Sequence, residues 1–245
     1  MAQLLCNNAY LRSKLPVKTE EWLDFAIENN SIGSVFLIVP TGKLVRKLKH
    51  LLLKKYFAKY GKPLEDSNIF TLQKFVKFIY SKSSSDSTKA ELSDAYRLAI
   101  FEDAVEIAEL KFFKKRNGTL PYSVLLKLSN VIFGLKEDGI TPASMNKRLQ
   151  KHLENPDDTL EELKYGDIAR LYTSYQSLLS DKFMDINDFM FEVNKFYRLI
   201  EIDSENPQIT IEKTINSIFP KDTFLHFEGF SEFKQPETEF LSIFT

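Results

Sequence analysis

One cysteine, three histidines and one tryptophan in 245 residues narrow the chemistry before any motif is sought. Cys6 cannot form an intrachain disulfide, and a single thiolate holds neither an iron–sulfur cluster nor a zinc ion. His50, His152 and His226 are scattered and make no metal-ligand spacing. Excess charge is also lacking. Lys and Arg number 33 against 34 Asp and Glu, a formal net charge of -1. A wholesale basic surface is therefore excluded, and any nucleic-acid argument has to be local. No apolar stretch approaches the ~18 residues of a membrane span. The first residues show no basic segment followed by an apolar run, so no secretory leader is expected. These absences point to a cytoplasmic chain without membrane contact.

What is present is material for a core. Hydrophobic residues make up 43% and charged residues 27%, enough for one large domain or two smaller ones, and the compositional signature of disorder is missing. Residues 3–6 read as a short strand, and 19–30 as a helix with Thr19 as N-cap and Glu20 and Glu21 in its first turn. The apolar run 34–39, bounded by Gly33 and Pro40, suits a strand buried on both faces of a parallel sheet. A helix over 42–60, a short strand at Ile69 and Phe70, and a helix to about Ser81 follow. Alternating strands and helices predict a parallel α/β sheet.

The pattern then changes. Ser81–Thr88 is a serine-rich linker, and the text from 90 to 200 is helical. The expected helices are Ala90–Ala108, Tyr122–Lys136, Pro142–Leu153, Leu160–Leu179 and Ile186–Ile200, the last with Asp185 as N-cap. A buried strand returns only at Thr223–Phe227. The expected fold class is therefore α/β: a parallel P-loop-NTPase-like sheet over 1–80 and 205–245, interrupted by an all-helical insertion over 88–200. After Pro236 an apolar helix start runs out at Thr245, which predicts that the α/β domain continues beyond this residue.

Four segments could carry chemistry. The turn at 34–46 contains Gly42-Lys43, but Leu44 stands where a phosphate loop needs Ser or Thr, so it is rejected as a nucleotide site. From Lys43 to Lys62 there are eight basic residues and no acid. Lys43, Arg46 and Lys47, with Thr41 at the turn, could contact phosphates. The other reading is a solvated helix face, with Leu44, Leu48, Leu51 and Leu52 inward and Tyr56 and Tyr60 packing. Thr71 at the end of the third strand is either a helix N-cap or a further contact. Glu228, at the end of the last strand, stands where a P-loop NTPase holds Mg²⁺, but Gly229 replaces the second acid needed to hold metal and position water. Asp157, Asp158, Glu161 and Glu162 read as capping and solvation. The acidic stretch Asp181–Asp188 is too interrupted for a calcium loop. Trp22 reads as core or partner-facing.

The order of these segments resembles the N-terminal part of AddB/RexB-type subunits of helicase–nuclease complexes, which carry an inactivated superfamily 1 helicase region. The matching text is VFLIVPTGKLVRKL, IFTLQKFVKFIY, YGDIARLYTSYQSLLSDKFMDINDF and FLHFEGFSEFKQPETEFLSIF. The resemblance implies a PD-(D/E)XK nuclease family parent and two DNA contact segments, at Thr41 and at Thr71. It also implies a degenerate Walker B position at Glu228, a role in double-strand-break repair and recombination, and an AddA-type motor as partner. Family members often keep a P-loop after the first strand; here that place reads Cys6-Asn7-Asn8-Ala9-Tyr10-Leu11-Arg12.

The expected function is thus a non-catalytic, helicase-like module binding single-stranded DNA or a duplex end, without catalytic residues, metal or cofactor of its own. The nuclease would lie beyond Thr245. Two alternatives stay open: a protein-interaction scaffold that never touches DNA, and an Mg-ATP-binding helicase domain with degenerate motifs.

Overall fold

The structure is a computed structural model that describes residues 2–4, 18–83, 89–114, 119–153, 159–179 and 182–244. Cys6, the stretch 7–12, residues 84–88 of the serine-rich linker, Asp157, Asp158 and Asp181 lie outside them. The chain divides into two compact units. Unit 1 comprises residues 1–85, 192–233 and 237–245; unit 2 comprises 86–191 with the short piece 234–236.

Unit 1 is built on four strands: β1 (Ala2–Leu4), β2 (Val35–Val39), β3 (Ile69–Thr71) and β6 (Phe224–Phe227), in the order β1-β6-β2-β3. β2 pairs in parallel with both neighbours, Leu37 opposite Ile69 on one side and His226 on the other. Every residue of β2 and β6 is buried, as continuous apolar runs predict for strands covered on both faces. Alternation then sorts the side chains. Val35, Leu37, Val39, Ile69 and Phe224 meet Trp22, Leu23, Ala26 and Ile27 of α1 (Thr19–Glu28) and Leu48 and Leu52 of α2 (Gly42–Tyr60). Phe36 faces the other way into a phenylalanine cluster. There Phe75 and Phe78 of α3 (Leu72–Ser83) meet Phe219, and Phe75 also meets Phe240 and Phe244, with ring centroids 5.1–6.4 Å apart throughout this group. Offset and edge-on pairs of this kind add about 0.5–1.5 kcal/mol each beyond area burial.

One expectation about the sheet is corrected. β1 runs antiparallel to β6, with Leu4 opposite Phe224 and Ala2 opposite His226, so the sheet is mixed. Apolar content marks a strand but not its direction, and residues 5–17 separate β1 from α1, so the alternation of strand and helix does not fix the pairing. Antiparallel edge strands on parallel sheets are common.

Unit 2 is mostly helical. It contains α4 (Asp94–Ile107), α5 (Tyr122–Glu137), α6 (Pro142–Leu153) and α7 (Thr159–Leu179) around a core that includes Phe101, Leu128, Ile132, Leu171 and Tyr175. It is not all-helical. β4 (Ala90–Glu91) pairs in parallel with β5 (Phe183–Met184), and α4 starts only after Ser93, whose hydroxyl accepts the Tyr96 N–H at 3.4 Å. The boundary between the units falls inside α8 (Ile186–Asp203). α9 (Pro207–Ile218) and α10 (Gln235–Ser242) complete the described elements.

Candidate nucleic-acid interface

Parallel pairing puts three strand ends at one edge of the unit 1 sheet. Val39 is opposite Thr71, and Ile38 is opposite Phe227. The Glu228 N–H continues the ladder by donating to the Ile38 carbonyl at 3.2 Å. Thr41 and Glu228, and Thr71 itself, thus sit at the carboxyl ends of adjacent strands. β1 leaves from the opposite edge, because its last residue is registered with the first of β6.

Thr41 has extended backbone angles and caps α2, its hydroxyl oxygen accepting the Leu44 N–H at 3.3 Å. Gly42 opens the helix beside it. The Arg46 guanidinium folds back one turn, its Nη1 3.7 Å from where a Gly42 Cβ would be. This corner therefore combines free helix N–H groups, the positive end of a helix dipole and a planar cation. Thr71 accepts the Lys74 N–H at 3.4 Å and caps α3 in the same way.

The cations of α2 divide into two sets. On the side facing α1, Lys47 pairs with Glu20 at 3.0 Å, Lys55 pairs with Asp24, and Lys59 donates to the Ile27 carbonyl. Lys43 and Arg46 are exposed and have no acidic partner among the described residues. Lys47 and Glu20 are both more than half exposed, and such a pair contributes only about 0–1 kcal/mol, so Lys47 stays close to being available. The Tyr56 and Tyr60 rings meet in a tilted pair with centroids 4.7 Å apart, and the Tyr60 hydroxyl donates to the Ile27 carbonyl, so both are held against α1 and each other. Phe57 is the more exposed aromatic of α2, at 58% against 38% for Tyr60. Leu44, expected inward, is 37% exposed, because it lies in the first turn ahead of the Leu48–Leu52 face.

Glu228 has an internal role. The Thr19 N–H and hydroxyl both donate to its Oε2, and His226 Nε2 lies 3.1 Å from the same oxygen. Thr19 is therefore not the N-cap of α1 as expected; Lys18 takes that place, and the Thr19 side chain is spent on Glu228. A carboxylate at a helix N-terminus suits the dipole. Partial burial pushes the Glu228 carboxyl up, but the bonds from Thr19 and His226 outweigh it and hold it below the ordinary glutamate value. Burial pushes His226 down, against the pull of Glu228, so the ring is neutral at pH 7. Gly229 follows at φ 85°, and a Cβ there would stand 3.4 Å from the Pro40 ring. The position of a second acid is thus taken by a backbone turn packed on Pro40. Among the described residues no group of three His, Cys, Asp or Glu could hold a metal ion.

Unit 2 holds two polar clusters that the sequence reading missed. Lys136 on α5 is 1% exposed. Its Nζ lies 2.6 Å from both Asp185 and Asp188 and 3.2 Å from Gln176. The Tyr175 hydroxyl also donates to Asp185. Asp185 caps α8 as expected, accepting from Asn187 and Asp188, while its own N–H donates to Asp188. Asp167, fully buried, accepts the N–H groups of Lys111, Phe112 and Phe113 and pairs with Arg170. The capping pattern was readable, but a lysine inside a helix carries no mark that its partners lie 49 and 52 positions away. Every group in the two clusters has a partner within unit 2, which gives them a structural role.

No family model matches the chain, and no curated protein matches its sequence. No helix among the described residues is long and apolar enough to cross a membrane.

Proposed function

We propose that the chain is a non-catalytic nucleic-acid-binding module that grips DNA phosphates at the carboxyl edge of the unit 1 sheet. The observation that carries this reading is the α2 corner, where Arg46 folds over Gly42 beside exposed Lys43 and the capping Thr41, with Thr71 at the adjoining strand end. Open α/β sheets bind ligands outside the carboxyl ends of their strands, and helix N–H groups beside cations suit phosphate oxygens. The resemblance to AddB/RexB-type helicase-like regions adds the context: break processing, a DNA strand or duplex end, and a motor partner of the AddA type. The Mg-ATP reading is weaker. Glu228 is occupied by Thr19 and His226, Gly229 replaces the second acid, and β1 ends at the opposite edge of the sheet.

Fluorescence anisotropy with a short labelled single strand at low ionic strength tests the proposal. Affinity is expected to fall steeply with salt. Lys43→Ala with Arg46→Ala should weaken binding and reduce the log–log salt slope by about 1.4, two phosphate contacts at about 0.7 each. A double variant that binds like the parent, with the same slope, would sink the proposal. Duplex ends titrated in parallel decide which form of DNA is preferred.

A further inference from the structure

Unit 1 carries two exposed apolar surfaces of opposite charge, and we infer that the chain self-associates by docking the basic one on the acidic one of a second copy. The basic surface is the outer stripe of α2. His50, Leu53 and Phe57 follow one another at three- and four-residue spacing, with Lys54 beside them, and so share a helix face. Leu53 is 44% and Phe57 58% exposed, and the whole of α2 contains no acid. The acidic surface is the corner between α8 and α9. Residues 199–212 hold Glu201, Asp203, Glu205 and Glu212 and no Lys or Arg. Ile202 there is 76% exposed, and Leu199, one turn earlier on the same face, is 47% exposed. The carboxyl end of α8 adds the negative end of its dipole. Of the nearby bases, Arg198 is paired with Glu239, Lys213 directly follows the acidic stretch, and Lys195 lies two turns before Ile202.

Complementarity selects the occupant. Stripe on stripe would oppose cations, and corner on corner would oppose carboxylates. Stripe on corner pairs Lys54 with acids while burying Phe57 and Leu53 against Ile202 and Leu199. Like-charge juxtaposition of this kind suppresses wrong pairings, and opposite charges fix register. The stripe and the corner are different surfaces of one copy, so the contact is heterologous and can propagate beyond a dimer. The inference stands apart from the nucleic-acid reading, because Leu53 and Phe57 lie about 15–20 Å along α2 from the Lys43 corner at 1.5 Å per residue.

Sedimentation velocity over a wide concentration range, at low salt and without nucleic acid, tests it. The weight-average mass of the parent should rise above the 28.4 kDa monomer with concentration. Ile202→Gln and Phe57→Asp should each stay monomeric over the same range. Both side chains are exposed, so neither change reaches the core, and circular dichroism checks that the fold is kept. Mixed together, the two variants should form a one-to-one dimer and nothing larger, because one contributes the only intact stripe and the other the only intact corner. A parent that stays monomeric, a single variant that assembles like the parent, or a mixture that fails to pair each overturns the inference. Strand binding by Ile202→Gln, scored separately by anisotropy, reports on the nucleic-acid reading alone.

Discussion

The two units put their charges in opposite places. Unit 1 packs two apolar layers on a sheet and leaves its cations on the surface, at the α2 corner and along the outer stripe of that helix. Unit 2 takes charges inside: Lys136 with Asp185 and Asp188, and Asp167 beneath three backbone N–H groups. A charge left in water is free to meet a ligand. A charge buried among fixed partners has no such freedom and serves to specify geometry. The functional candidates therefore belong to unit 1, although the denser polar chemistry is in unit 2.

The sharpest way to break this comparison is to remove the cation at the centre of unit 2. Lys136→Met leaves two carboxylates facing each other in a buried site, which should cost about 3–5 kcal/mol. Adding Asp188→Asn should recover part of that loss, since one buried charge is then removed. The readout separates the units, because Trp22, the only tryptophan, lies in unit 1. In urea, the midpoint followed by circular dichroism should fall further than the midpoint followed by Trp22 fluorescence. A variant as stable as the parent would show that the cluster is not what holds α5 to the start of α8.

A smaller effect is expected at Asp167. Asp167→Ala removes the acceptor of three backbone N–H groups in 111–113, which can then turn partly to water. The expected loss is about 2 kcal/mol, in the range for a few unmade hydrogen bonds; the lost pair with Arg170 adds little, because that guanidinium is 37% exposed and returns to water. Amide hydrogen exchange should quicken at Lys111, Phe112 and Phe113. Unchanged protection there would mean that those groups are held by something other than the carboxylate.

The same contrast explains what the sequence made legible. Apolar runs and helical periodicity read well wherever packing is local and two-faced. The strand expected at 34–39 appears as Val35–Val39, the helix at 42–60 as Gly42–Tyr60, and the helix at 142–153 as Pro142–Leu153. Three kinds of feature did not read. The direction of β1 depends on a long-range pairing with β6. α9 has no counterpart among the expected elements, because Ile209, Thr210, Ile211, Thr214 and Ile215 are β-branched and favour helices weakly; Pro207 in its first turn starts it all the same. The partners of buried charges, Lys136 above all, lie too far along the chain for spacing to reveal. At the candidate site, Thr71 caps its helix as read and Thr41, read only as a phosphate contact, caps its own as well, whereas Thr19 was drawn away from capping by Glu228, a residue 209 positions later.

The smallest effect is a difference in pH response, and its sign follows from the groups involved. His226 sits lower in the fold than its ordinary 6.5, because burial disfavours the charged ring. Its contribution is therefore fully present above that value and is lost as pH falls towards the folded pKa. Glu228 is also held low, by Thr19 and His226, so its contribution is lost only in more acid solution, below its ordinary 4.5. With its side chain 43% exposed, solvent screening keeps that second loss small. Asp188 behaves in the opposite way. Burial raises it despite the attraction of Lys136, so its contribution is present at low pH and is lost as pH rises through the folded pKa. Acidification from pH 7.5 to 5.5 should thus lower the urea midpoint reported by Trp22, whose ring lies 5.4 Å from His226. The slope cannot exceed about 1.4 kcal/mol per pH unit for one proton. In His226→Leu the Trp22 midpoint should be nearly flat over this window, while Glu228 remains ionised and bound to Thr19. A variant that keeps the slope of the parent would move the acid sensitivity of unit 1 away from His226.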